Sequence, residues 1–369
     1  MLWVDSTAPN YEGKGAVAGR ICRDLAERGQ QVIGVRIGGP NAGHTVLGRC
    51  PADCGDAGAH GAGPRPAHPW RLRQVPVSVV TAPGSWAVIA AGSEVDQRVL
   101  EREIVELDSA GYNASGRLAV DRSATILHDG NILEEQALEL QASIGSTAKG
   151  IGSARAARIW RMASTWGQAT GGGWDTAAEL RARLYEDDVA VVVEGTQGYG
   201  LGLHTENYPR VTSGDCRAVD FLAQAGVSPW QQGVGLRVLV CLRPYPIRVA
   251  GNSGPMKDET TWEALGLPAE HTTVTQKVRR VGAWDPELAR AAMLANGGPS
   301  RGVVWAALTM MDSVDPELAG ADGHVPAWSE STAPKCTRDY LHSFGWNAGH
   351  LAYVGTGPDT ALVNERIYR

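Results

Sequence analysis

The sequence predicts an α/β protein with a central, mostly parallel sheet flanked by helices. Three observations lead there. Short apolar runs alternate with amphipathic stretches of helical period. One run, Val189 to Val193, is apolar without interruption, as in a parallel strand buried on both faces. Several runs end in loops of glycine and hydroxyl residues, where open parallel sheets present their binding crevices. At 369 residues, with 43% hydrophobic content and a net charge of −6, the chain has material for a large core and is read as one domain over 1–369. That balance argues against disorder and against a nucleic-acid-binding polycation. No apolar run approaches the ~20 residues of a membrane span, and the first residues lack a signal peptide's basic region and apolar stretch; a cytoplasmic protein is expected. The six cysteines are scattered. Cys50 and Cys54 have no matching Cys/His pair at metal-site spacing and are read as reduced thiols.

Met1 to Asp5 reads as a short strand. Tyr11-Glu12-Gly13-Lys14-Gly15-Ala16 follows, and Val17 to Arg28 carries Val17, Ile21 and Leu25 at helical spacing. Strand, Gly-Lys-Gly, helix supplies helix N-terminal amides and one cation, a recipe for a phosphate cradle; a solvated turn is the plainer alternative. It is not a Walker A loop. The β-rich run Gln31 to Ile37 leads into Gly38-Gly39-Pro40-Asn41-Ala42-Gly43-His44-Thr45. There an amide that donates and accepts, and a histidine that titrates near neutrality, sit in a glycine frame that lets backbone approach a ligand. A glycine-rich turn with a surface histidine fits that spacing equally well. Residues 50–69, rich in Gly, Ala, Pro and His, are expected to be a mobile insertion at a hairpin tip. Val75 to Val80, Trp86 to Ala91 and Leu118 to Leu127 are expected strands; Gln97 to Ala110 and Asn131 to Gln141 are expected helices.

Gly145-Ser146-Thr147-Ala148-Lys149-Gly150-Ile151-Gly152 precedes a helix bearing Arg155, Arg158 and Arg161. Hydroxyls and amides ahead of a helix suit a nucleotide monophosphate, with arginines supplying charge; an exposed basic helix is the alternative for Arg155 and Arg158. The strand Val189 to Val193 delivers Glu194-Gly195-Thr196-Gln197-Gly198, with Glu194 open between a structural and a site role. Tyr208-Pro209-Arg210-Val211-Thr212-Ser213 follows. Another strand, Arg237 to Leu242, leads towards Thr272 to Val281, where Lys277, Arg279 and Arg280 are three cations within four residues. Such a cluster is relieved by an anion, a dicarboxylate or a phosphate. Val303 to Leu308 is a strand ending in Thr309-Met310-Met311-Asp312, and Tyr353-Val354 runs into Gly355-Thr356-Gly357-Pro358-Asp359.

In order, along nearly the whole chain, these loops resemble those of the adenylosuccinate synthetase family. That family begins with Gly-Asp-Glu-Gly-Lys-Gly and Asn-Ala-Gly-His-Thr, and continues through Gly-Thr-Thr-Gly-Arg-Gly-Ile-Gly, Glu-Gly-Ala-Gln-Gly, Tyr-Pro-Phe-Val-Thr-Ser and Ser-Thr-Gly-Pro-Asp. The resemblance implies a fold related to the P-loop NTPases. It also implies a ligase that joins L-aspartate to C6 of a purine nucleotide through a 6-phosphoryl intermediate, at the expense of a nucleoside triphosphate with Mg²⁺. The partners it implies include a second copy of the chain, in a homodimer with a shared site, and neither nucleic acid nor membrane.

By the same resemblance His44, Lys14 and Gln197 are catalytic. Asn41, Ser146, Thr147, Gln197 and Thr212 hold the monophosphate, helped by Arg161 of the partner subunit, which stands at the family's spacing from Thr147. The triphosphate falls to Glu12, Gly13, Lys14, Gly15, Thr45, Asp312, Gly355, Gly357 and Pro358. Aspartate falls to Thr275, Lys277 and Arg279, and the metal to the main-chain carbonyl of Gly43. The departures are Tyr11 where the family carries its aspartate base and magnesium ligand, Pro40 where it has histidine, and Met310 where it has lysine. Pro-Asn-Ala-Gly-His-Thr and Thr-Thr-Val-Thr-x-Lys-Val-Arg-Arg-Val resemble the phage 2-aminoadenylosuccinate synthetases, which act on dGMP and lack that aspartate. The implied substrate is then dGMP and the implied triphosphate ATP or dATP, with GTP open. An ordinary synthetase acting on IMP and a non-catalytic nucleotide-binding homologue are the alternatives.

Overall fold

Ten strands make up the main sheet, in the spatial order Gly323–Val325, Ala361–Asn364, Leu351–Gly355, Val304–Leu308, Leu236–Leu242, Leu2–Thr7, Val189–Glu194, Gln31–Arg36, Trp86–Ile89 and Leu118–Val120. The structure is a computed structural model and describes residues 1–7, 13–49, 67–272, 276–299 and 302–369. From Leu118–Val120 across to Leu351–Gly355 every neighbouring pair is parallel; Ala361–Asn364 turns back, antiparallel to Leu351–Gly355, and Gly323–Val325 at the edge runs parallel to Ala361–Asn364. Leu2 sits at the centre, opposite Leu236 on one side and Val191 on the other.

The period of two in the strands sorts the core into two layers. Val189, Val191 and Val193 face one apolar cluster with Val238, Val240 and Leu242; Ala190 and Val192 face the other with Leu239 and Cys241. The first layer is covered by Ala218–Gln224 and Pro286–Ala295, through Phe221, Leu222, Ala289 and Met293. The second is covered by Lys14–Glu27, whose Val17, Ile21, Cys22 and Leu25 form its buried stripe. This is the helix–sheet–helix sandwich expected of a continuous apolar strand.

Three expected elements come out differently. Val75 to Val80 is a loop running into a short helix, Ser78–Thr81, rather than a strand. Its valines are buried, but its amides are satisfied by carboxylates: Glu103 accepts from the N–H groups of Arg73, Gln74 and Val75 at 2.6, 3.1 and 3.0 Å, and Glu194 accepts from Val77 N–H at 2.7 Å. Leu118 to Leu127 divides, with Leu118–Val120 on the edge of the main sheet and Thr125–Ile126 paired to Glu94–Val95. Asn131 to Gln141 breaks at Glu139, whose φ of 50° separates Asp129–Ala137 from Leu140–Ile144. In the expected insertion, 50–66 lies outside the described residues. Its last part is a strand: Ala67–Leu72 pairs antiparallel with His44–Arg49, placing Leu72 opposite His44.

Candidate active site

Because the strands run parallel, their C-terminal ends deliver the loops after Arg36, Glu194, Leu242, Leu308 and Gly355 to one edge of the sheet. Lys14–Glu27 begins at that edge. Gly13 precedes it with φ 80°, a left-handed conformation that favours glycine. A Cβ on Gly15 would stand 2.8 Å from that of His44, so only glycine lets this helix approach the histidine loop so closely. Lys14 is 3% exposed and its ammonium donates to the Gln197 carbonyl at 2.6 Å. The first glycine loop, the histidine loop and the loop after Glu194 thus meet around one lysine.

His44 is buried, and burial, followed by the nearby charges of Arg36 and Lys14, pushes its pKa well below the usual histidine value. It is a neutral imidazole. Its Nδ1 lies 2.5 Å from Arg36 Nη1 and 3.0 Å from Glu194 Oε2. Arginine is only a donor, so the shorter contact makes Nδ1 an acceptor and leaves the ring proton on Nε2. Among the described residues Nε2 is buried without a hydrogen-bond partner. Glu194 is wholly buried and its pKa is pushed up to about 7 by burial, against the attraction of Arg36 and the Val77 N–H. An ionised Glu194 would draw the ring proton back to Nδ1. Its proton count therefore bears on which face of His44 is the donor, and Glu194, left open by the sequence, touches both His44 and the structural Val77 amide. Arg36, which sequence reasoning missed, carries no local signal beyond being a charge inside an apolar strand.

On one side of the Asn41–His44 loop a cavity is lined by Asn41, Ser146, Thr147, Gln197 and Thr212, together with Arg210 and Arg248. All the expected monophosphate residues of a single chain come together here. One expectation fails. The amides that open the helix Ile151–Ile159 are held by Glu135, which is 2% exposed and accepts from Gly150 and Gly152 N–H at 2.7 Å each. A buried carboxylate already stands at that helix N-terminus, and the Ser146 and Ala148 amides donate to the Leu140 carbonyl and to Ser146 Oγ, so the groups this loop offers an anion are chiefly the hydroxyls of Ser146 and Thr147. Arg155 is taken by Glu94 in a two-nitrogen pair at 2.7 and 3.2 Å. Arg161 lies beyond the helix rather than on it, with φ 65°, exposed and outside the lining of this cavity in its own chain. Its neighbours Ile159, Trp160 and Met162 are 67, 65 and 75% exposed, an apolar patch of the kind that marks an interaction surface.

On the other side lies a larger cavity, about 770 Å³, lined by Gly13, Lys14, Gly15, Gly43, His44, Thr45, Asp312, Gly355, Gly357 and Pro358. Met310 and Arg279 line it too. Lys277 is exposed and outside its lining. Glu12, Tyr11 and Thr275 lie outside the described residues. Among the described residues no three His, Cys, Asp or Glu side chains are grouped to hold a metal ion, Cys22, Cys216, Cys241 and Cys336 are thiols, and no helix is long and apolar enough to cross a membrane.

Comparison with known proteins agrees with this geometry. The family model for adenylosuccinate synthetase matches residues 11–171 and 174–316. The adenylosuccinate synthetase of Pyrococcus horikoshii is 30% identical over 367 residues, covering 96% of this chain and 95% of the relative. That of Methanocaldococcus jannaschii is 33% identical over 317 residues, covering 84% and 81%. In structure the chain matches the cyanophage S-2L succinoaminodeoxyadenylate synthetase (PurZ) bound to dGMP and dATP, with a TM-score of 0.74 and 25% identity over 98% of this chain and 95% of that one. Plasmodium falciparum adenylosuccinate synthetase shares the fold at a TM-score of 0.73 and 17% identity, over 98% and 99%. A buried lysine, a buried histidine and two adjoining cavities on one sheet edge thus have a common explanation: the chain belongs to the adenylosuccinate synthetase family of nucleoside-triphosphate-dependent carbon–nitrogen ligases.

Proposed function

We propose that this enzyme joins L-aspartate to C6 of dGMP, with ATP or dATP as the phosphoryl donor. The observation that carries the reading is that His44 and Lys14 line one cavity while the Lys14 ammonium donates to the carbonyl of Gln197, which lines the other. A purine monophosphate in the first cavity would turn O6 towards the γ-phosphate of a triphosphate in the second. O6 attacks the γ-phosphorus, the nucleoside diphosphate leaves, and N1 gives up its proton. The α-amine of aspartate then attacks C6, the C6–O6 bond breaks, and the phosphate departs with O6 and takes up the proton that the amine nitrogen loses. Lys14 and the amides around Gly13 to Gly15 would hold the transferring phosphoryl group, where positioning and charge neutralisation carry most of the catalysis. The Nε2–H of His44 would donate to O6 as charge develops there, a contribution of roughly 10²–10⁴. Arg36 and Glu194 hold that imidazole in place.

The family uses Mg²⁺. A magnesium ion takes a few protein oxygens alongside phosphate oxygens and water, and Gly43, which lines the cavity, would offer its main-chain carbonyl to such a partial shell. Bound there, it would neutralise charge on the β- and γ-phosphates. The dGMP preference is supported by Tyr11 and Pro40 in place of the family's aspartate and histidine, and by the likeness to a synthetase bound to dGMP and dATP. The reading on IMP is favoured by the archaeal relatives, which are named adenylosuccinate synthetase. Asp312 could accept both N1–H and N2–H of a guanine, which keeps GTP as a donor to be tested. We also propose a homodimer in which Arg161 of the partner subunit reaches the monophosphate.

Aspartate-dependent phosphate release, measured with dGMP, IMP or neither and with ATP, dATP or GTP, tests the reading. We expect turnover with dGMP plus ATP or dATP. A higher kcat/KM for IMP would make this an ordinary synthetase; nucleotide binding without release in any combination would make it a non-catalytic homologue.

A further inference from the structure

Two of the most buried cations of the larger cavity share one carboxylate. Arg243 is 2% exposed and Arg279 5%. Glu270 meets Arg243 Nη1 at 2.9 Å through one oxygen and Arg279 Nε at 3.1 Å through the other. All three residues line the cavity that also holds Lys14 and His44. The main chain reinforces the arrangement, since Arg279 N–H donates to the Glu270 carbonyl at 2.8 Å. Trp262 ties the same pair from behind: its indole N–H donates to the Arg279 carbonyl at 2.8 Å, and the Arg243 guanidinium lies 5.9 Å from its ring centre.

The mode of contact matters. Glu270 accepts a hydrogen bond from Arg243 Nη1 and stands at ion-pairing distance from Arg279 Nε, so one carboxylate draws both guanidinia to the same part of the cavity wall. A guanidinium on the wall of this cavity is the chemical complement of a substrate carboxylate. We propose that Glu270 is a positioning residue for a carboxylate of the amino-dicarboxylate substrate: it orients Arg279, and braces Arg243 behind it, before that substrate arrives. The inference rests on the reading of this cavity as the site where aspartate meets the phosphorylated purine. Nothing in the loop's own sequence flags the residue, because its partners lie nine positions ahead and on a different strand end.

The test is steady-state kinetics of the full-length enzyme with Glu270→Gln and Glu270→Asp. Losing a charged contact to Arg279 should raise the KM for aspartate by about 10–100-fold in Glu270→Gln, with the KM values for dGMP and ATP within about threefold. Glu270→Asp, which keeps the charge on a shorter stem, should fall between wild type and Glu270→Gln. A merely structural role would move all three KM values together, or none. If Glu270→Gln fails to fold, as read by loss of dGMP binding, Glu270→Asp alone must raise the aspartate KM selectively. Wild-type turnover that does not depend on aspartate refutes the reading of the cavity. Normal aspartate dependence with an unmoved or lowered aspartate KM in the variants overturns the role of Glu270 alone.

Discussion

Replacing Glu194 by glutamine should change how stability depends on pH. The side chain is wholly buried, and burial outweighs the attraction of Arg36 to raise its pKa from 4.5 to about 7. At about 1.4 kcal/mol per pH unit, ionising it in the folded protein costs about 3 kcal/mol more than in the unfolded chain. Between pH 4.5 and 7 the folded state keeps a proton that the unfolded chain releases, so wild-type stability falls as pH rises through that window. Glutamine resembles the protonated form: its oxygen can keep the Val77 N–H, now held at 2.7 Å, and its amide can donate towards His44 Nδ1. His44 is kept neutral by burial and its cationic neighbours, so it contributes the opposite slope below 6.5, but in both proteins alike. Urea denaturation at pH 5 and pH 8 should therefore find Glu194→Gln within about 1 kcal/mol of wild type at the lower pH. At the higher pH it should be about 3 kcal/mol more stable, relative to wild type. A variant that loses ground to wild type as pH rises would refute the argument, since it would mean that Arg36 holds Glu194 as a carboxylate throughout.

Two further outcomes are expected at the site itself. His44→Ala should lower kcat by 10² or more while leaving dGMP affinity within a few-fold, because its donor is used as charge builds on O6; equilibrium binding beside turnover separates this from a structural role, in which both would fall together. Arg161→Ala mixed with His44→Ala should recover activity that neither has alone, since a mixed dimer places both lesions in one site and leaves the other whole. No recovery despite demonstrated subunit exchange would place Arg161 in its own chain's chemistry.

The elements that carry local signals were legible in the sequence. Lys14 stands between glycines before a helical stripe, and Val193 hands over to Glu194 and Gln197 after an unbroken apolar run; both read correctly as strand-end loops, and the structure gathers them where parallel strands must. What escaped were carboxylates that work at long range. Glu103 and Glu194 take the amides of the stretch around Val75, so β-branched residues that look like a strand need no neighbouring strand. Glu135 fills the helix start at Gly150, removing amides that the glycine loop promised to a phosphate. In each case the decisive partner is a residue distant in sequence, and propensity and period describe only near neighbours. Arg161 shows the same limit at smaller scale: its threefold spacing from Arg158 suggests one helix, but the chain turns left-handed there and aims it elsewhere.

The central place of Leu2–Thr7 bears on how the chain can fold as it is made. Leu2 pairs with Val191 and with Leu236, so this segment finds its first neighbour only when the chain has been made through Val189–Glu194, and its second through Leu236–Leu242. At about 5–20 residues per second it waits on the order of ten seconds or more beside the ribosome. Until then, the helix Lys14–Glu27 has an apolar stripe with only the strand Gln31–Arg36 and the segments soon after it to cover it. The last strands to appear, Leu351–Gly355 and Ala361–Asn364, then add at one side of a sheet whose middle has already closed. Ribosome-bound chains stopped before residue 189 should accordingly bind chaperones, and chains stopped beyond about residue 320 should resist protease across the Leu2–Leu242 half of the sheet.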